Sequence, residues 1–148
     1  MRVEGEFSDW EEVESSVVQG SVLGGLLFTI YINDMTEEAR EELLRILMKI
    51  FADDTKLAKL IESLKDREEM QKLIDKLAAW ADKWEMRFNV KKCKVVHVGA
   101  KNPCYEYTLN GEKIATANEE RDLGVWMDSS LKPTKQCTVA ARSANFAL

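Results

Sequence analysis

Residues 46–54 read ILMKIFADD, and this stretch carries the strongest structural and chemical signal in the chain. An apolar run ends in two adjacent carboxylates, Asp53 and Asp54, and the small residue Ala52 separates them from Phe51. Burying two neighbouring carboxylates is costly unless a cation compensates their charge. A pair of divalent metal ions that bind a nucleotide's phosphates is the usual compensation. The stretch therefore predicts a metal site, and the surrounding sequence decides what that site serves.

The apolar pattern around the acids fits two structures. As two strands, residues 46–51 and 55–60 form a hairpin with the acids at its tip. As a helix, residues 37–64 place a tolerable apolar stripe on one face, which Asp54 interrupts. Periodicity alone does not choose between a short apolar strand and a buried helix. The first reading predicts a hairpin, and the second predicts a mostly helical, rearranged chain.

The composition sets limits on the class of protein. The 148 residues suit one domain, with 45% hydrophobic and 32% charged residues. The net charge of −5 disfavours strong nucleic-acid binding by this chain alone, because phosphate contacts need a basic surface. No apolar run is long enough to span a bilayer, so we expect no membrane partner. Three cysteines without C-x-x-C spacing indicate reduced thiols, and we expect an intracellular protein, cytoplasmic or nuclear.

Two helices are expected on the N-terminal side of the acids. The glycine-containing apolar stretch 22–32 predicts a buried helix. Thr36 is a plausible N-cap because Glu37 and Glu38 follow in the first turn, where acids are favoured. That second helix would then run through Leu47.

The C-terminal side begins with the clearest helix and continues with strands. Asp66 followed by Glu69 resembles a capping box with Asp as the cap, so residues 67–84 are predicted to form a helix. Asn110-Gly111 predicts a tight hairpin turn. Strands are expected at 94–98, 113–116 and 123–127, and a short helix is expected after Pro133. The fold class is therefore α+β, with an antiparallel sheet packed on two or three helices.

Several motifs in a fixed order resemble the reverse transcriptase of non-LTR retrotransposons, in particular the chicken-repeat and jockey-like group. The resemblance runs nearly the length of the chain and rests on these segments: VVQGSVLGGLLF at 17–28, YIND at 31–34, FADDTKL at 51–57, Trp80, Phe88-Asn89, KCKV at 92–95, Gly99, LNG at 109–111, DLGV at 122–125, Gln136-Cys137 and Ala144-Asn145. The resemblance implies the palm of an RNA-directed DNA polymerase.

The resemblance implies roles for eight residues. Asp53 and Asp54 match the paired catalytic and metal-binding carboxylates, which implies Mg²⁺ or Mn²⁺ as cofactor. The remaining matches are Gln19 and Gly20 for the template and incoming nucleotide, Lys92 or Lys94 near the phosphates, and Leu123 and Gly124 in the primer-grip hairpin. In such polymerases two metal ions activate the primer hydroxyl and stabilise the leaving pyrophosphate.

Departures from the family pattern change this expectation. The family has Pro where Val18 and Gly25 stand and Gly where Ser16 stands. The strand that carries the first catalytic aspartate precedes residues 6–10 in the family and has no match here. We therefore expect one truncated palm domain over 1–148, inactive alone and weak in metal and nucleic-acid binding. Its parts are an irregular segment at 1–20, palm motifs at 21–99, a hairpin and primer-grip-like strand at 100–130, and the start of the thumb at 131–148.

The absence of that strand leaves an apolar sheet edge without a partner, and exposed edges pair with other chains. We therefore expect a homo-oligomer formed through this edge or through a swapped element. Two functions follow: a relict polymerase palm with residual metal or nucleic-acid affinity, or a domesticated or engineered interaction or scaffold module without chemistry. The sole histidine, His97, is more simply a packed or surface residue than a catalytic base.

Overall fold

The structure is a computed structural model that describes residues 2–3, 6–7 and 20–146, with side chains for 20–146. The chain divides into two compact units, Met1–Asp34 and Met35–Leu148. In the first unit, β1 (Arg2–Val3) pairs antiparallel with β2 (Glu6–Phe7). Residues 8–19 lie outside the described part, including the predicted site residue Gln19.

Helix α1 (Gly24–Ile32) confirms the predicted helix but not its burial. Ile32 is its one buried residue, whereas large apolar side chains along it are exposed: Leu26, Leu27, Ile30 and Tyr31. Apolar residues occur all round this helix rather than on one stripe. A helix of that composition is normally covered on all sides. The sequence therefore predicts a buried helix, whereas the described residues leave most of its side chains exposed.

The predicted helix from Thr36 to Leu47 is wrong. Helix α2 (Asp34–Glu38) begins two residues before Thr36 and is short. A 3₁₀ turn (Glu42–Leu44) follows, and Leu47 already belongs to a strand. The Glu42 carboxylate accepts charge-assisted contacts from Lys72 and Lys76 at 3.2 and 2.9 Å. Those long-range contacts cannot be read from local periodicity.

Residues 47–58 form a hairpin, which excludes the mostly helical alternative for 37–64. Strand β3 (Leu47–Phe51) pairs antiparallel with β4 (Asp54–Ala58), and the register joins Phe51 to Asp54. Strand β3 alternates between exposed and half-buried residues, as expected for a strand with one covered face.

Helix α3 (Leu64–Lys83) is the main element of the core and confirms the most definite helix of the sequence. Its cap is Ser63 rather than Asp66. The Ser63 hydroxyl accepts a hydrogen bond from the Asp66 amide, and the Asp66 carboxylate accepts one from the Ser63 amide. The acid therefore fills the third helical position of the capping box, and the helix starts three residues earlier than predicted. The buried face contains Met70, Leu73, Leu77, Ala78, Trp80 and Ala81.

Short strands complete the second unit. Parallel pairing joins β5 (Lys94–Val96) to β8 (Ala115–Ala117). Antiparallel hairpins form between β6 (Thr108–Leu109) and β7 (Glu112–Lys113), and between β9 (Glu119–Asp122) and β10 (Val125–Asp128). Helix α4 (Thr134–Phe146) follows Pro133 as predicted. Helices and mainly antiparallel ladders confirm the α+β class.

Strand β6 packs on α3 through both apolar and polar contacts. Tyr107, Leu109 and Ile114 are buried. The Gln71 amide on α3 donates to the Thr108 carbonyl at 2.8 Å and accepts from the Thr108 amide at 3.0 Å. This side chain therefore occupies the free edge of β6 in the way that a neighbouring strand would.

Candidate functional site

The carboxylate turn, residues 51–54, closes the β3–β4 hairpin. Phe51 and Asp54 are the last paired residues, so Ala52 and Asp53 form a two-residue connection. Ala52 has φ of 52°, a left-handed conformation that favours glycine over alanine. Strained backbone of this kind is frequent at functional sites. The structure therefore places the sequence-predicted carboxylates at the hairpin tip.

The two carboxylates lie in solvent rather than in a buried site. Asp53 and Asp54 are both exposed. Within residues 20–146, neither forms a salt bridge. Both carboxylates are exposed to solvent, so the desolvation cost of burying two neighbouring carboxylates does not arise here. Both side chains keep their oxygens available to a ligand.

Carboxylate oxygens are suitable donors for Mg²⁺ or Mn²⁺, so Asp53 and Asp54 fit as two ligands. No group of three or more His, Cys, Asp or Glu residues that could hold a metal occurs in the described part of the chain. A centre that holds two metal ions needs more protein ligands than this pair. These residues alone therefore do not fit a complete two-metal centre.

A second hairpin lies beside the first. Leu123 and Gly124, the predicted primer-grip residues, form the turn between β9 and β10 with φ of 46° and 87°. The Lys56 ammonium on β4 forms an ion pair with Asp122 on β9 and lies 3.6 Å from the Met127 sulfur on β10. Neither contact is evident from the sequence. The local sequence indicates only that Lys56 follows Asp54 by two residues, which places both on the same face of a strand.

The opposite face of the β9–β10 hairpin is covered by α4. The Lys135 ammonium lies 3.5 Å from the centre of the Trp126 ring, in cation–π geometry. The Trp126 amide donates to the Gln136 side chain at 3.0 Å. Trp126 and Asp122 point to opposite faces of the hairpin, because side chains alternate along a strand and its partner. The hairpin is therefore held from both sides.

The base of the β3–β4 hairpin is anchored to α3 by ion pairs. Lys59, with 4% of its side chain exposed, places its ammonium 2.6 Å from Glu69 and 3.4 Å from Asp66. Hydrogen bonds from the Ser63 hydroxyl and the Glu62 amide, together with Lys59, lower the pKa of Asp66 to about 2. The hydrogen bond from Lys59 likewise lowers the pKa of Glu69.

The basic segment predicted to lie near phosphates is exposed, with Lys92 in a turn and Lys94 at the start of β5. Lys92 and Lys94 are exposed, and the Lys92 and Cys93 amides donate to the Asn89 carbonyl at 3.0 and 3.2 Å. Burial raises the pKa of the Cys93 thiol, which makes it a poor nucleophile. Within residues 20–146, no hydrogen bond or ion pair brings Lys92 or Lys94 to the carboxylate turn. Gly20 belongs to the first unit and has φ of 81°.

Among the described residues, no helix combines the length and the apolar character that crossing a membrane requires.

Comparison with known proteins gives a consistent result. The family model for reverse transcriptase (RNA-dependent DNA polymerase) matches residues 2–139. The RNA-directed DNA polymerase from mobile element jockey of Drosophila melanogaster is 31% identical over 144 residues, which is 92% of this chain and 15% of the relative. Its counterpart from Drosophila funebris is 33% identical over 127 residues, which is 80% of this chain and 14% of the relative. No solved structure matches significantly.

Proposed function

The chain belongs to the reverse transcriptase (RNA-dependent DNA polymerase) family, and on that basis we propose that it serves as part of the palm of a retrotransposon RNA-directed DNA polymerase. The observation that supports this role is the hairpin that presents Asp53 and Asp54 at its tip. The chain spans about 15% of the length of the jockey relative, so the activity of the whole polymerase enters only as part of the proposal. The expected intracellular location belongs to the same proposal.

In this proposal the carboxylate turn supplies two ligands for Mg²⁺ or Mn²⁺, and Asp53 is the stronger candidate ligand. The residues at 20–146 contribute no third ligand nearby, so we expect weak metal binding and no polymerisation by the 148 residues alone. The metal would supply charge stabilisation at transferring phosphates. The part played by the chain is to hold two carboxylates in fixed register on a paired hairpin.

The Leu123–Gly124 turn is proposed to hold the primer. Lys92 and Lys94 are proposed to make weak contacts with phosphates. Support comes from the position of the β9–β10 hairpin beside the carboxylate strand and from the exposure of both lysines. Gln19 and Gly20 are proposed to contact the template and the incoming nucleotide. That role rests on the resemblance alone. An acidic chain of net charge −5 binds nucleic acid weakly, which suits a role within a larger protein.

The test is a Mn²⁺ titration with and without primer–template, on the wild type and on the Asp53→Asn/Asp54→Asn variant. We expect weak Mn²⁺ binding by the wild type, loss of that binding in the variant, and no primer extension by either. Equal Mn²⁺ binding by both proteins would contradict the proposed metal-binding role of the turn. Primer extension by the wild type would contradict the proposed dependence on further residues.

A second candidate function is self-association without chemistry. It is favoured by exposed apolar side chains on one face of β3, where Leu47 is 56% and Phe51 65% exposed. In residues 20–146, β3 and β4 pair only with each other, which leaves both outer edges open to a further strand. Sedimentation velocity at tens of micromolar tests this function. A wild-type dimer that is lost in the Leu47→Lys variant would support self-association. A wild-type monomer at all concentrations would contradict it.

A further inference from the structure

The two hairpins that carry the proposed metal and primer residues are connected by side chains, not by backbone. Strands β3 and β4 form one ladder and β9 and β10 another. Within residues 20–146, no backbone hydrogen bond joins the two ladders. Each hydrogen bond or ion pair between them in that range begins at Lys56. Among the described residues, the direct polar contacts between the two hairpins are therefore made by one side chain.

The register explains why Lys56 can reach both strands of the neighbouring hairpin. Asp122 pairs with Val125 and Met127 pairs with Glu120, so Asp122 and Met127 lie on the same face of the β9–β10 ladder. Lys56 forms an ion pair with Asp122 and places its ammonium 3.6 Å from the Met127 sulfur. One ammonium thus contacts β9 through a carboxylate and β10 through a thioether.

The same register places Lys56 on the face of β4 that carries Asp54. Lys49 lies directly opposite Lys56 on β3, and like charges at opposed positions repel. Asp122 supplies the counter-charge for Lys56. An unpaired Lys56 would lie about 6.6 Å along the strand from Asp54, close enough for its flexible side chain to compete for that carboxylate. Asp122 therefore links the two hairpins and pairs with an ammonium that could otherwise compete for Asp54.

We infer that Lys56 is a positioning residue that, through Asp122 and Met127, sets the orientation of the carboxylate turn relative to the Leu123–Gly124 turn. The functional meaning of that orientation rests on the proposed polymerase role. The orientation itself does not, because it is a property of the chain without metal or nucleic acid. The Lys56 and Asp122 side chains are 43% and 34% exposed. Because ion pairs this exposed add little to global stability, we expect its loss to affect orientation rather than folding.

The experiment measures residual dipolar couplings of backbone amides in the metal-free chain. In the wild type, one alignment tensor is expected to fit both hairpins. In Lys56→Met and in Asp122→Asn, β9–β10 is expected to need a separate tensor, while α3 and β6–β7 still share one with each other. Lys56→Arg keeps the cation, and Lys56→Asp combined with Asp122→Lys restores the pair; both are expected to recover the single tensor.

The matched control is Lys113→Met, which removes the cation of the exposed Lys113–Glu106 ion pair away from both turns. It is expected to leave the single tensor unchanged. A single tensor in both Lys56→Met and Asp122→Asn would overturn the inference, as would loss of the shared tensor in the control. Since no metal is present, these outcomes are independent of the Mn²⁺ titration that tests the proposed function.

Discussion

The β6–β7 and β3–β4 hairpins reverse the chain with different residues. The first uses Asn110-Gly111, with φ of 52° and 77°, the residue types that adopt positive φ at least cost. The second places Ala52 at φ of 52° and follows it with two acids. Leu109 at the first turn is buried on α3, whereas Phe51 at the second is 65% exposed. The β6–β7 hairpin is thus built from residues that favour folding, and the β3–β4 hairpin presents carboxylates at a conformational cost.

The largest expected difference between the hairpins concerns burial. Leu109→Ala removes a side chain that is 5% exposed, and we expect it to cost about 2–5 kcal/mol in the free energy of unfolding. Phe51→Ala removes a larger but exposed side chain, and we expect a change within about 0.5 kcal/mol. Urea unfolding followed by tryptophan fluorescence measures both. Equal costs would show that β3–β4 is packed as firmly as β6–β7.

The turns themselves are expected to respond in opposite directions. Gly111→Ala forces alanine into positive φ and should cost about 1 kcal/mol. No atom lies within 4 Å of the added Cβ, so the cost comes from backbone conformation alone. Ala52→Gly relieves the same strain and should gain about 0.5 kcal/mol after the extra chain entropy of glycine. Thermal unfolding of both variants is the measurement, and destabilisation by Ala52→Gly would refute strain at the carboxylate turn.

Acid should destabilise the β3–β4 hairpin more than the β6–β7 hairpin. The pKa of Asp66 lies at about 2, below its ordinary 3.8, so its contribution is complete above pH 4 and is lost as the pH falls towards 2. The Ser63 hydroxyl is the main cause of the lowered pKa of Asp66, and the Lys59 ammonium, which contacts both acids, is the main cause of the lowered pKa of Glu69. The base of β3–β4 depends on this contact, whereas β6 is held by burial and the Gln71 amide.

Amide hydrogen exchange at pH 4 and pH 2 measures this difference. Protection factors are expected to fall in β4 while those of β6 change less. Lys59→Met removes the cation that contacts both acids, so β4 in this variant should lose the part of its pH dependence that comes from Lys59, while the Ser63 and Glu62 hydrogen bonds still lower the pKa of Asp66. An equal loss of amide protection in the two hairpins would indicate that acid acts through global unfolding instead.

The parts of the fold that follow local chemistry could be predicted from the sequence. The Asn110-Gly111 turn, the α3 stripe and the helix after Pro133 depend on neighbouring residues. The sequence predicts the cap of α3 at Asp66 rather than Ser63, because Ser63–Asp66 and Asp66–Glu69 have the same spacing and both end in an acid.

Features that depend on distant residues could not be predicted. The helix expected from Thr36 to Leu47 gives way to a strand, and Glu42 pairs with Lys72 and Lys76 on α3. The burial expected for α1 needs covering surfaces that apolar composition cannot specify. At the site, the sequence identified Asp53 and Asp54 but not Lys56 or Asp122, whose contact spans 66 positions in the chain.

In the proposed function, the β3–β4 turn keeps its strained backbone and its paired acids for a cation. The most direct measurement is the broadening of backbone amide resonances by Mn²⁺, compared between the wild type and Asp53→Asn/Asp54→Asn. The expected result is broadening centred on residues 51–56 in the wild type, absent from the double variant, with the Asn110-Gly111 turn unaffected in both. Broadening that is uniform over the acidic surface, or unchanged in the double variant, would contradict the claim.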